Sequence, residues 1–482
     1  MARLLLLLLV AVAMACTMPT AAHERRRNAI THIKGFEGPL PFYLESGYVE
    51  VDETHGADLF YYFIQSESSP MEDPLILWIT GGPGCSALSG LLFEIGPLRF
   101  DVAGYTEGFP RLVYFEDSWT KVSNIIFVDA PMGTGFSYAR EEQGLNVSLT
   151  GTGVQIRVFI EKWLADHPEF ASNPLYIGGD SYSGYTVPVT ALEIADHNDV
   201  HGGSLRLNLQ GYLVGNPGTD DRYDKWGKVP FLHGMGLISD ELYEAAQASC
   251  SLADDDYVTP SNTRCADALQ DINQATAYIN PVHVLERFCG AALRGPAGGG
   301  DSIFTNTARL LVEEDNLQQQ QQQQQHGRLG LPVECRDNGY RMSYVWADDP
   351  EVRKTLGIRE GSVGAWSRCV SLEHHYRHDV RSVIPYHANL TRRGYRALVY
   401  NGDHDLDITF VGTQAWIRTL GHPVVAPWRP WFSNWQVAGY TTEYAYNLTY
   451  ATVKGAGHTA PEYRPKECLD MLRRWISPAG KL

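Results

Sequence analysis

Four times along this chain a short run of apolar, aromatic or β-branched residues ends abruptly in a turn of small and polar ones. Leu75-Ile76-Leu77-Trp78-Ile79 leads into Thr80-Gly81-Gly82-Pro83-Gly84-Cys85-Ser86, and Pro174-Leu175-Tyr176-Ile177 leads into Gly178-Gly179-Asp180-Ser181-Tyr182-Ser183-Gly184. Arg396-Ala397-Leu398-Val399-Tyr400 leads into Asn401-Gly402-Asp403-His404-Asp405, and Tyr450-Ala451-Thr452-Val453 into Gly455-Ala456-Gly457-His458. Runs of this length and composition predict buried strands. The pattern after Ser181 changes, and 186–195 reads as a helix. Polar residues at the C-terminal ends of buried strands are where open α/β sheets carry their chemistry.

Each of these turns offers a chemically useful side chain. Ser181, between small residues at a strand-to-helix junction, reads as a nucleophile elbow, which lifts the hydroxyl clear of the sheet at the positive end of the next helix. The strict G-x-S-x-G pattern is not met, because Ser183 holds the last position and Gly184 follows. A serine hydroxyl is barely nucleophilic at neutral pH. It needs a histidine to take its proton and a carboxylate to orient that histidine and stabilise the imidazolium. His458 and Asp403 supply them in the chain order Ser, Asp, His, which is the order of the α/β-hydrolases. Asp405 and Asp407 rival Asp403; Asp403 is preferred because it follows Gly402 directly at the strand end. The glycine turn after Ile79 lets backbone N–H groups approach a substrate, so the amides of Gly82 and of Tyr182, the residue after the nucleophile, are the expected oxyanion donors.

With these residues in place the chain resembles the plant serine carboxypeptidase-like family, peptidase family S10. The matching blocks are LILWITGGPGCSALSGLLFEIGP, NIIFVDAPMGTGFSYA, NPLYIGGDSYSGYTVP, GYLVGNPGTD, NGDHDLD and VKGAGHTAPEYRP, in order from about residue 30 to the C-terminus. The resemblance implies an α/β-hydrolase fold, a mostly parallel central sheet flanked by helices with an inserted, largely helical cap. It implies Ser181, Asp403 and His458 as catalytic residues and Gly82 and Tyr182 as the oxyanion hole, with no cofactor.

The family's carboxypeptidases carry asparagine before the two glycines and glutamate before the serine, side chains that hold the free C-terminal carboxylate of a peptide. Here those positions are Thr80 and Asp180, both shorter, with Gly81 beside them in the expected substrate-binding set. Such variants, together with Trp346 to Cys369, resemble the branch of acyltransferases that use glucose esters. The expected function is therefore transfer of an acyl group from a 1-O-glucose ester to an alcohol or amine acceptor. The alternative is a serine carboxypeptidase that releases C-terminal residues from peptides. A catalytically silent secreted binding protein is a third reading, disfavoured because all the reactive residues are present.

Composition adds an address. An apolar run from Leu4 to Ala15 follows Arg3, and small residues at Ala21-Ala22 precede a charged stretch. This predicts a signal peptide over 1–22 and one catalytic domain over 23–482. The expected destination is the secretory pathway, in the vacuole or outside the cell. No later run is long and apolar enough to span a bilayer, so no membrane association is expected after cleavage. A formal net charge of −17 without a basic cluster disfavours nucleic acid as a partner.

Of eight cysteines, Cys16 lies in the signal peptide. The remaining seven predict three bridges and one free thiol. No C-x-x-C pair supports a metal site. Family resemblance implies Cys85–Cys369, Cys250–Cys265 and Cys289–Cys335, with Cys468 unpaired. Asn146, Asn389 and Asn447 begin glycosylation sequons. The stretch about 218–335 differs in character: helical patterning at 240–248 and 265–278, then a disordered Gln-rich loop over about 291–330. It reads as the cap inserted into the core.

Overall fold

The computed structural model describes residues 28–105, 108–201, 206–289, 335–372, 374–477 and 479–482. The expected signal peptide and the Gln-rich loop lie outside the described residues.

The four strands read from sequence form, and the sheet is built around them. Six strands run parallel in the spatial order Asn124–Val128, Leu75–Ile79, Leu175–Asp180, Leu209–Gly215, Arg396–Gly402 and Leu448–Val453. Antiparallel strands extend it on both sides: Ala57–Ile64, Leu44–Asp52 and Ala29–Ile30 beyond one edge, Gln436–Tyr444 and Val424–Ser433 beyond the other.

Successive side chains of a strand point to opposite faces, and both faces here are covered. Leu75, Leu77 and Ile79 join the core with Phe159, Trp163 and Ile194 of the helices Leu149–Asp166 and Ser183–Val200. Ile76 and Trp78 face the other way, into the core of Met342 and Trp346 of Asp337–Ala347 and Leu472 and Trp475 of Pro465–Ile476. That two-sided burial is why the strands read as unbroken apolar runs rather than as alternating patterns.

From Leu75–Ile79 the chain moves to one neighbour, Asn124–Val128, and then returns to the other, Leu175–Asp180. The carboxyl ends of Leu75–Ile79 and Leu175–Asp180 therefore flank a topological switch point, where loops diverge and leave a crevice. The glycine turn and Ser181 both sit there.

Between Leu209–Gly215 and Arg396–Gly402 lie Asp221–Trp226, Lys228–Gly234, Asp240–Ser249 and Thr263–Ala275, close to the helices read from sequence. They share a core of their own, including Phe231, Leu232, Ala246 and Ile272, into which Leu406 of the Asp403–Asp407 loop is inserted. The structure joins Cys85 to Cys369, Cys250 to Cys265 and Cys289 to Cys335, and leaves Cys468 free and buried. Among the described residues no helix is long and apolar enough to cross a membrane.

Candidate active site

Ser181 has φ 55°, the left-handed conformation a β-carbon resists, at a cost of about 1–3 kcal/mol. Three backbone hydrogen bonds hold it: Ser181 N donates to Gly215 O at 2.9 Å, and Ser181 O accepts from Gly184 N and Gly218 N at 2.9 Å each. The turn tolerates Ser183 in place of the pattern's glycine because Gly179 leaves it room. A β-carbon on Gly179 would lie 2.7 Å from that of Ser183 and 2.4 Å from Ile79 O.

His458 bridges Ser181 and a carboxylate. Its Nε2 is 2.7 Å from Ser181 Oγ and its Nδ1 is 2.8 Å from Asp405 Oδ2. The expectation that Asp403 holds this histidine is overturned by these distances. Asp403 Oδ1 instead accepts from Gly455 N at 2.7 Å and pairs with His404 Nδ1 at 2.5 Å, stapling the turn that carries His458. The physical reason lies in the loop's path. Asp403 N still bonds to Val453 O, so Asp403 continues the strand pairing, and the chain bends toward His458 only afterwards.

Asp405, with no exposed surface, is the carboxylate that the bend delivers. Its Oδ2 also accepts from Asn216 Nδ2 at 2.8 Å and Ile408 N at 3.1 Å, and its Oδ1 accepts from Asp407 N at 2.8 Å. These four donors satisfy a buried charge that would otherwise be costly. Burial by itself depresses the His458 imidazole. The carboxylates of Asp405, Asp407 and Asp180 more than reverse this and raise it to about 9. Asp407 stands 4.0 Å from His458 Nε2, and Lys228, 3.1 Å from it, holds its carboxyl well below the usual range.

The glycine turn faces the serine at close quarters. A β-carbon on Gly81 would lie 2.6 Å from Ser181 Cβ and 2.9 Å from Tyr182 N. Among the described residues the amides of Gly82 and Tyr182 make no hydrogen bond, which leaves both free for a ligand. The turn is pinned by the Cys85–Cys369 bridge, by Ser86 N to Arg368 O at 2.7 Å, and by Asp129, which accepts from Ser86 Oγ at 2.7 Å and Ala87 N at 2.8 Å.

Thr80 and Asp180 lie behind the turn. Asp180 Oδ1 accepts from Gly81 N at 3.3 Å, while Asp180 Oδ2 and Thr80 Oγ1 are buried with no partner. Burial pushes the Asp180 carboxyl up to about 6. Glu94 is driven further, well above the usual range, by burial and by repulsion from Asp180 and Glu462, and accepts from the Trp78 indole at 3.1 Å. Buried acids of this kind are neutral in mild acid and can then donate hydrogen bonds.

Sequence reasoning missed Asn216, Glu94 and the Lys228–Asp407 pair. Asn216 carried a signal, a polar residue immediately after the buried run of Leu209–Gly215. Glu94 carried none, since its approach to Trp78 depends on the turn between them. Asn146, Asn389 and Asn447 are all exposed, with Asn447 Nδ2 donating to Gly394 O at 3.0 Å.

Comparisons with known proteins identify the family and the fold. A sequence model of the family described as serine carboxypeptidase matches residues 35–478. Serine carboxypeptidase-like 4 of Arabidopsis thaliana is 44% identical over 457 residues, covering 94% of this chain and 93% of the relative. Serine carboxypeptidase-like 19 of the same plant is 44% identical over 448 residues, covering 93% of each. Among solved structures, Kex1(Δ)p, a prohormone-processing carboxypeptidase from Saccharomyces cerevisiae, superposes with TM-score 0.70 at 21% identity, over 91% of this chain and 93% of that one. The fold is that of the α/β-hydrolases, and the chain is an enzyme of the serine-carboxypeptidase and hydrolase type. A sheet whose switch point carries a strained serine bonded to a histidine, matched by a family model over nearly its whole length, places this chain in the serine carboxypeptidase family.

Proposed function

We propose that the protein forms an acyl ester on Ser181 and passes the acyl group on, with Ser181, His458 and Asp405 as nucleophile, base and orienting acid. The observation that carries this reading is the single histidine bonded at 2.7 Å to the serine and at 2.8 Å to a buried carboxylate. As Ser181 Oγ attacks the substrate carbonyl, its proton moves to His458 Nε2. The oxyanion that forms is received by the amides of Gly82 and Tyr182, donors worth about 3–4 kcal/mol each in comparable sites. The leaving amine or alcohol takes the proton from His458. Water or an acceptor hydroxyl or amine then attacks the ester, giving its proton to His458, which returns it to Ser181.

Release of C-terminal residues from peptides is the reading that family membership favours. The buried acids add support, because protonated Asp180 beside the unpaired Thr80 hydroxyl can donate to a terminal carboxylate. Transfer from a 1-O-glucose ester is the second reading, and one observation favours it. Asp180 and Thr80 are both short for such a clamp and both nearly fully buried, so a carboxylate would be reached poorly. In either case the substrate is a peptide or a small-molecule donor and acceptor pair. We read 23–482 as the catalytic domain, 218–335 as a cap over it, 1–22 as a signal peptide leading to the vacuole or cell exterior, and the three exposed sequons as glycan acceptors.

Incubating the secreted protein with blocked dipeptides and with a panel of glucose esters plus acceptors, followed by mass spectrometry, separates the readings. Turnover of dipeptides at about 10 per second or more, with no transferred product, rules out the transferase reading, and the converse result rules out the peptidase.

A further inference from the structure

The loops that carry Asp405 and His458 are not held by the sheet alone. A short strap from the inserted segment, 281–286, lies across both. Pro281 O accepts from Leu406 N at 2.9 Å and from Asp407 N at 3.1 Å, the two residues that follow Asp405 in sequence. Val282 O accepts from His458 N at 2.8 Å, and Val284 N donates to His404 O at 3.0 Å. The fit admits no slack, since a β-carbon on Gly457 would lie 2.2 Å from Val282 O.

The strap has its own anchors. His283 is buried, its ring 5.4 Å from that of His404 in a stacked arrangement and 4.9 Å from that of Tyr463. Leu285 N donates to His283 Nδ1 at 3.3 Å, which leaves the ring proton on Nε2, 3.5 Å from Gly455 O. Three residues after His283, Glu286 receives a bidentate pair from Arg336 at 2.8–3.0 Å. The Arg336 guanidinium lies 4.0 Å above the Tyr463 ring, and the Cys289–Cys335 bridge ties the two sides together at the strap's end. Tyr463 belongs to the short helix Ala460–Tyr463 that directly follows His458.

We propose that this strap, keyed by His283, is a positioning element that sets the separation between the Asp405 and His458 loops. The inference rests on the acyl-enzyme reading above. Two loops leaving different strand ends have no direct covalent coupling. A rigid third segment bonded to the amides of both holds the 2.8 Å acid–base contact at its working length, and a displacement of about 1 Å in such a contact can cost up to about a hundredfold in rate.

The test uses the whole secreted protein and a small fluorophosphonate, too small to contact the inserted segment. Labelling of Ser181, turnover of the best substrate and melting temperature are measured for wild type, His283→Ala, His283→Asn and Glu286→Gln. In His283→Ala, kcat and the labelling rate are expected to fall together by roughly ten- to a hundredfold, with KM within about twofold. His283→Asn, whose Oδ1 can still accept from Leu285 N, is expected to recover part of the loss. Glu286→Gln, at a half-exposed position, reads the same effect at smaller amplitude should the alanine variant fail to fold. A labelling rate unchanged while melting temperature falls overturns the proposal, because it makes the strap purely structural. A rise in KM alone also overturns it, by making the strap a substrate wall. Absence of Ser181 labelling in the wild type overturns the acyl-enzyme reading itself, and is distinguishable because it precedes any strap variant.

Discussion

Asp405→Asn probes the acid assignment most directly, and the surroundings of this carboxylate dictate how it acts. Three donors converge on Oδ2, from His458, Asn216 and Ile408, and one donor, Asp407 N, meets Oδ1. The new amide therefore places its oxygen on the Oδ2 side, because an NH2 group there would meet three N–H donors, and its nitrogen opposite Asp407 N. His458 keeps its Nδ1–H tautomer under this arrangement. What is lost is the negative charge beside the imidazolium. Two unit charges about 4 Å apart at an effective dielectric near 20 attract by about 4 kcal/mol, which corresponds to a loss of roughly 10³-fold in rate. Asp403→Asn should cost less than about tenfold, since Asp403 touches His404 and Gly455 rather than His458. Fluorophosphonate labelling rates and kcat/KM, measured from pH 5 to 9, check both. Because Asp405 raises the His458 imidazole, which must be neutral to take the proton of Ser181, its removal should also move the acidic limb of the profile to lower pH. Equal losses from the two variants, or a larger loss from Asp403→Asn, would refute the reasoning.

Three other outcomes are expected. Asp180, pushed up to about 6 by burial, is neutral below that pH and charged above it; for a peptide substrate KM should rise as pH increases through about 6, and for a neutral glucose ester it should not, with Asp180→Asn flattening the peptide profile. Thr80→Asn combined with Asp180→Glu should raise peptide cleavage relative to ester transfer, measured as the ratio of the two kcat/KM values, and an unchanged ratio removes these positions from substrate choice. Alkylation of the secreted protein should modify no cysteine in the native state and Cys468 alone after denaturation without reduction, because that thiol is buried and the other six are bridged; peptide mapping that finds Cys85 or Cys369 modified would contradict the bridge pattern.

The four strands and the turns that end them were legible in the sequence because parallel strands covered on both faces must be apolar at every position, as Leu75–Ile79 is. Ser181 and His458 were legible for a related reason: each directly follows such a strand in a glycine-rich turn, so local sequence alone brings it to the sheet's carboxyl edge. Choosing among Asp403, Asp405 and Asp407 was a different problem. Three carboxylates within five residues share one local context, and the rule that favoured Asp403, nearness to the strand end, failed because backbone pairing to Val453 carries the strand past it. Only the tertiary structure decides that Asp405 meets His458, because the bend depends on Leu406 entering the core of the inserted segment and on amides bonded to Pro281. Asn216 and the buried pair of Asp180 and Glu94 likewise come together through strands and turns remote in sequence. Local patterning determines which residues reach the edge of the sheet. Contacts between segments far apart in the chain determine which of them touch.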